Sequence, residues 1–76
     1  MLTADMLLPD ESGYIVSIDL HGVQRSRLMD MGLVPGALLK MKAVSPFGDP
    51  LLVSVHHTVL SLRKDQARNI VLRRNL

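Results

Sequence analysis

The chain contains no cysteine and no tryptophan, and its only aromatic side chains are Tyr14 and Phe47. Without cysteine, neither a disulfide framework nor a thiolate zinc site can form, so stability must come from closing a barrel or from self-association. With so few aromatics, base stacking on single-stranded nucleic acid would be weak. The core must therefore be built from leucine, valine, isoleucine and methionine.

Long apolar runs are also missing. No stretch approaches the roughly 20 apolar residues that a membrane-spanning helix needs. Residues 1–6 lack the basic and apolar segments of a signal peptide. We therefore expect a cytoplasmic protein that does not insert into a membrane.

The length of the chain limits its chemistry. A domain of 76 residues buries only about 60% of the surface that its unfolded chain exposes, which leaves little room for a catalytic cleft. No serine, histidine and carboxylate set at plausible spacing stands out, and there is no glycine-rich phosphate loop. We expect a single domain over residues 1–76 that is not an enzyme.

Charge of either sign is modest. Nine lysines and arginines face seven carboxylates, for a net charge of +2. The basic excess lies after residue 62, where Asp65 is the only carboxylate. A charged rim explains this imbalance, which is mild for a nucleic-acid-binding protein, so no nucleic-acid partner is expected.

Glycine and proline divide the chain into short elements. Breaker-rich segments occupy residues 31–36 and 45–50, and around them apolar residues alternate with polar ones, as in strands with one buried face. The alternation predicts five strands. The residues expected to be buried in them are Leu39, Met41, Val53, Val55, Leu60, Leu62 and Ile70.

The first predicted strand lies within residues 13–20, and strict alternation places Val16, Ile18 and Leu20 on one face. The second begins near Leu39, and its alternation extends to Ala43 with Lys40 and Lys42 on the wet face. A tight bend near residues 57–58 joins the third and fourth strands.

Two helices are predicted. Between residues 22 and 31, helical spacing places Val23, Leu28 and Met31 in one arc, and Gly32 in a left-handed conformation would end the helix. A single helical turn within residues 64–68, with Asn69 as a left-handed cap, precedes the last strand. The predicted fold is mainly β: a small, partly open barrel of about five strands, with a helix after strand 1 and a short helix before the last strand.

An ordered series of short motifs covers nearly the whole chain and resembles the FeoA family of small SH3-like barrel proteins. The motifs are Gly13-Tyr14-Ile15-Val16, Arg27-Leu28, Met31-Gly32-Leu33-Val34-Pro35-Gly36, Gly48-Asp49-Pro50 and Leu60-Ser61-Leu62-Arg63. The resemblance implies a non-catalytic accessory protein of bacterial ferrous iron uptake. It would act with FeoB, the membrane ferrous iron transporter that carries a GTP-binding domain.

The same small barrel is similar to the C-terminal domain of metal-dependent repressors of the DtxR type. In those proteins it follows a DNA-binding helix-turn-helix domain, for which this sequence has no counterpart, so the resemblance favours the transport role. The alternative is a metal-responsive regulatory module that binds a divalent transition metal. Its binding would weaken as histidine is protonated.

His56 and His57 are the candidate metal ligands, for Fe²⁺ or Zn²⁺, because neutral imidazole commonly binds both metals. Adjacent residues of a strand point to opposite faces, so one ion could contact both imidazole rings only if the turn places them on the same side. The alternative is a pair of exposed histidines at a hairpin tip. No resident cofactor is otherwise indicated.

Candidate partner contacts lie on the helix, at Arg25 and Met29, at the His56-His57 hairpin, and at Phe47. Met29 is expected to project away from the apolar arc. Phe47 lies between Pro46 and Pro50, and an aromatic on a stiffened loop is a good interface anchor. Alternatively, Phe47 closes one end of the barrel. Unpaired edge strands would also permit a homo-oligomer.

Overall fold

The computed structural model describes residues 1–75, which form a six-stranded sheet with two short α-helices and a 3-10 helix at residues Ala4–Met6. The strands are β1 Leu2–Thr3, β2 Ser12–Ile18, β3 Leu38–Val44, β4 Leu51–Val55, β5 Thr58–Leu62 and β6 Ile70–Arg74. The helices are α1 Gly22–Asp30 and α2 Lys64–Ala67. Within these residues, no helix is long and apolar enough to cross a membrane.

The sheet has the order β1-β6-β2-β3-β4-β5, and every neighbouring pair is antiparallel. It is not closed, so β1 and β5 are its edges. The predicted mainly β fold with two short helices is confirmed, but there are six strands instead of five. The missed strand, β1, has two residues, which is too short for any alternation to show; it is defined by pairing of Leu2 with Leu72.

One face of the sheet carries an aliphatic core. All seven residues that the alternation predicts to be buried are buried, with exposures from 0% to 8%. Leu51 at the start of β4 and Leu33 after α1 join them. Strict alternation along β4 and β5 therefore fixes which face of this hairpin meets the core.

The predicted face of β2 is wrong in part. Ile18 is buried and Leu20 packs against the core, as predicted, but Ile15 is buried in place of Val16, which is 49% exposed. A register shift between Ile15 and Ser17 interrupts the pairing of β2 with β6, and an extra residue at a bulge moves the following side chains to the other face. A second bulge, between Met41 and Ala43 in the pairing of β3 with β4, likewise leaves Ala43 exposed.

The predicted apolar face of α1 is also wrong in part. Leu28 is buried, but Val23 and Met31 are exposed. Gly32 has φ +99° and ends the helix as predicted, since its N–H donates to the Met29 carbonyl at 3.0 Å. The next N–H, of Leu33, donates to the Leu28 carbonyl at 3.0 Å, which completes a Schellman motif. This reversal brings Leu33, not Met31, into the core beside Leu28.

We expect replacement of Gly32 by alanine to destabilise the fold by about 1–2 kcal/mol, because a side chain disfavours positive φ. A Cβ there would also lie 3.1 Å from Cδ2 of His56. Gly36→Ala is the matched control: its φ is +91°, and a Cβ there would meet nothing within 4 Å. Urea denaturation followed by circular dichroism measures both. A smaller loss for Gly32→Ala than for Gly36→Ala would contradict the proposed packing against His56.

The loop between β3 and β4 is tied to the end of β5. Oδ1 of Asp49 accepts a hydrogen bond from the backbone N–H of Lys64 at 3.0 Å, which satisfies one free donor at the start of α2. Oε1 of Gln66 accepts from the N–H of Arg63 at 3.0 Å. The prediction of Asn69 as a left-handed cap is wrong, since its φ is not positive; its side-chain amide donates to the Asp65 carbonyl instead.

Candidate docking surface

The turn between β4 and β5 consists of His56 and His57 alone, because Val55 pairs with Thr58. Both histidines have positive φ, 50° and 65°, which is the type I′ turn that asparagine and glycine usually form. A left-handed conformation costs a residue with a Cβ about 1 kcal/mol or more. Both side chains are exposed, so core packing does not explain them. Strain of this kind at an exposed turn indicates that the two imidazoles serve a function and not the stability of the fold.

A groove of about 440 Å³ lies beside this turn, on the face of the sheet away from the core. Its polar lining contains Lys40, Ser54 and both turn histidines, and no carboxylate. The remaining lining residues are Tyr14, Gly36, Ala37, Leu38 and Val55. No side-chain motif marks this groove in the sequence, although the alternation of β3 places Lys40 on the wet face.

Tyr14 forms one wall of the groove, and a residue of the neighbouring strand β6 packs over its ring. The guanidinium carbon of Arg73 lies 4.6 Å from the centre of the Tyr14 ring, and the two residues are paired between β2 and β6. A cation over an aromatic face contributes about 0.5–1 kcal/mol at an exposed site. Arg73, one of the basic residues after residue 62, thus packs on the Tyr14 ring, although it does not itself line the groove.

The chain supplies an incomplete set of metal ligands at the hairpin. Within residues 1–75, no group of three or more histidine, cysteine, aspartate or glutamate side chains could hold a metal ion. A structural site usually has about four ligands. His56 and His57 therefore do not fit a closed site on their own, and a metal bound there would need ligands from outside the described residues.

Phe47 is 96% exposed, so the expectation that it closes a barrel end is wrong. Its loop is nevertheless ordered by backbone hydrogen bonds: the N–H of Gly48 donates to the Ser45 carbonyl at 2.8 Å, and the N–H of Ser45 donates to the Pro50 carbonyl at 3.2 Å. The Asp49 contact with α2 holds the same loop. An exposed aromatic on an ordered loop loses little entropy on binding, which suits an interface anchor.

The candidates on α1 form a weaker surface than expected. Arg25 is exposed, but Met29 is half-buried and packs against the core, contrary to the predicted outward orientation. The exposed apolar residues of this region are Val23 and Met31. The end of α1 lies beside the hairpin, because Gly32 approaches His56 closely.

The structure does not gather the predicted contacts into one patch. His56 and His57 lie at one end of β4, whereas the Phe47 loop lies at the other end, five residues away. At about 3.3 Å per residue, this separation is about 17 Å. β5 is the element that runs between the two, since it begins directly after His57 and its last residue, Leu62, pairs with Leu51 beside the loop.

We expect His57→Gly to raise the free energy of unfolding by about 0.5–1 kcal/mol, because glycine adopts a positive φ without the steric cost that a Cβ imposes. The larger loss of backbone entropy that glycine suffers on folding offsets only part of this gain. The melting temperature should rise by a few degrees. Thr58→Gly is the matched control: the same change one residue later, in strand β5, should lower stability. A lower melting temperature for His57→Gly would show that the imidazole makes a stabilising contact.

The chain matches the model of the FeoA domain over residues 2–74. It belongs to the FeoA family. Among curated protein sequences, no significant match is found.

Solved structures of FeoA proteins have the same fold. The FeoA protein of Chlorobium tepidum is 32% identical, with a TM-score of 0.92 over 96% of this chain and 70% of that protein. The Stenotrophomonas maltophilia FeoA, solved in complex with zinc and described as a prokaryotic SH3 domain protein, is 34% identical, with a TM-score of 0.83 over 96% of this chain and 91% of that one. The expected SH3-like fold is thus confirmed.

The similarity to repressors is also present. The IdeR protein of T. acidophilum is 25% identical, with a TM-score of 0.84, and the match covers 97% of this chain but only 34% of IdeR. The chain therefore corresponds to one part of that larger protein.

Proposed function

We propose that this protein is a non-catalytic accessory protein of bacterial ferrous iron uptake. It acts in the cytoplasm, where it docks on the GTP-binding part of a FeoB-type transporter and modulates transport. The match of the FeoA domain over residues 2–74 carries this proposal. The Stenotrophomonas relative has itself been suggested as a ferrous iron transport activating factor.

The surface of the protein supports docking. Phe47 presents a large apolar side chain on an ordered loop, and the hairpin turn presents two imidazoles at strained positions. Neither feature is needed to fill the core. Aromatic anchors that are ordered before binding are typical of interface residues that dominate affinity.

Uptake of radioactive Fe²⁺ by cells tests this function. Cells that contain the FeoB-type transporter are compared with and without the gene for this protein, and cells without the transporter give the background. We expect the initial uptake rate to change when the protein is absent and to return when it is restored. An unchanged rate would refute the accessory role.

A metal-responsive module is the second candidate, and the similarity to IdeR favours it. It predicts that Fe²⁺ or Zn²⁺ shifts the imidazole resonances of His56 and His57 and that a double alanine variant loses this binding. An incomplete ligand set predicts weak binding by the chain alone. Tight one-to-one binding by the isolated protein would favour this second function.

A further inference from the structure

The free edge of β5 is unusual for a sheet edge. Natural edge strands are commonly protected by charged residues, by proline, by bulges or by being very short. β5, Thr58–Leu62, contains no charged residue and no proline, and its pairing with β4 is continuous over five residue pairs. The opposite edge, β1, is only two residues long. Of the two edges, β5 is therefore the one suited to pairing with another strand.

The hairpin geometry identifies the groups on this edge. In a hairpin with a two-residue turn, the backbone groups of Val55 and Thr58 hydrogen-bond to each other, and such bonded pairs recur at every second position. The backbone N–H and carbonyl groups of Leu60 and Leu62 therefore also point toward β4. The N–H and carbonyl groups of Val59 and Ser61 then point away from the sheet. No backbone hydrogen bond outside the β4–β5 ladder involves a residue of β5 among residues 1–75. The Val59 side chain is 55% exposed.

The two ends of this edge meet the two candidate contact features. His56 and His57 precede Thr58 directly, and Lys64, just beyond the other end, bonds Asp49 of the Phe47 loop. A strand added along β5 would thus pass the imidazoles at one end and the Phe47 loop at the other. The edge therefore connects the two features along one continuous strand.

Charge specifies the occupant. Residues 56–64 contain two histidines, Arg63 and Lys64, and no carboxylate. Pairing of two copies would bring together two segments that each carry Arg63 and Lys64 and no carboxylate, and the carboxylate shown beside them, Asp49, already accepts a hydrogen bond from the Lys64 N–H. An extended segment flanked by carboxylates would instead find Arg63 and Lys64 at one end and the two imidazoles, which can donate hydrogen bonds, at the other. The charge pattern therefore disfavours a second copy and favours an acidic partner strand.

We propose that β5 takes up an extended, acid-flanked segment of the cytoplasmic part of the transporter as a seventh strand. This inference rests on the proposed function, because it names how that docking occurs. Main-chain hydrogen bonds to Val59 and Ser61 would provide affinity, and Phe47 and the basic ends would provide orientation.

Ser61→Pro tests the proposal. Proline removes the outward N–H and adds bulk on the free side, and edge strands tolerate it there because the ladder bonds of β5 to β4 are made by its neighbours. Ser61→Ala keeps the N–H and is the matched control. Calorimetric titration into the purified cytoplasmic domain of the transporter from the same genome should show an affinity loss of about tenfold or more for proline and within about twofold for alanine.

Amide hydrogen exchange of the wild-type protein provides a readout that does not depend on how well the proline variant folds. In the complex, the amides of Val59 and Ser61 should exchange about tenfold or more slowly than in the free protein. Binding without this protection, and with equal affinity for both variants, would overturn the edge proposal while leaving the proposed function intact. Protection that increases with protein concentration alone would mean pairing of two copies and would also overturn it. No binding by the wild type would overturn both.

Discussion

Replacing Leu39 with alanine is expected to lower the free energy of unfolding by about 2–5 kcal/mol, the usual cost of a fully buried leucine. Leu39 lies on the central strand β3, and its exposure is 0%. A chain of 76 residues has a total stability of about 4–11 kcal/mol at typical values per residue. This one truncation therefore removes a large part of the stability, because the chain has no disulfide to compensate.

Leu38→Ala is the matched control, since the same change is made one residue earlier. Leu38 lies on the opposite face, lines the groove and is 40% exposed, so the expected loss is about 1 kcal/mol or less. Because the chain has no tryptophan, urea denaturation is best followed by far-ultraviolet circular dichroism. Equal losses for the two variants would mean that the register of β3 is shifted by one residue.

Replacing Phe47 with alanine is expected to weaken docking on the transporter's cytoplasmic domain by about 30-fold or more, equivalent to about 2 kcal/mol. The side chain is almost fully exposed in the free protein, so its removal should change stability by less than about 0.5 kcal/mol. Affinity is measured by calorimetric titration, and stability by urea denaturation. A large loss of both would show that Phe47 supports the fold.

Val23→Ala is the control that distinguishes docking through the Phe47 loop from docking through helix α1. Val23 is an exposed apolar residue on α1, where Arg25 also lies, so its truncation tests the helix face as the docking surface. We expect it to leave the affinity within about twofold of the wild type. If Val23→Ala weakens docking and Phe47→Ala does not, the partner binds the helix instead of the loop.

Alternation in the sequence predicted the β4–β5 hairpin and its core residues correctly, because these strands pair without interruption. It failed where a bulge inserts one residue, as at Val16, since a bulge reverses the faces without changing the composition of the strand. The prediction for Met31 failed because left-handed Gly32 turns the chain back and brings Leu33 into the core instead. Helical spacing contains no information about residues beyond the helix end.

The candidate site was predicted only as separate residues. Phe47, His56 and His57 can be recognised in the sequence from the chemistry of their side chains. The edge of β5, in contrast, is formed by backbone groups that no side-chain motif marks. Identifying that edge requires the strand order, which depends on long-range pairing. The groove beside the hairpin was missed for the same reason, since Tyr14 and Lys40 meet only when β2 pairs with β3.

Calorimetric titration of the wild-type protein into the purified cytoplasmic GTP-binding domain of the transporter, with and without nucleotide, tests the central claim most directly. We expect saturable heat at a defined ratio of the two proteins. The absence of binding in both nucleotide conditions, for two folded proteins at concentrations well above the micromolar range, would contradict docking on that domain.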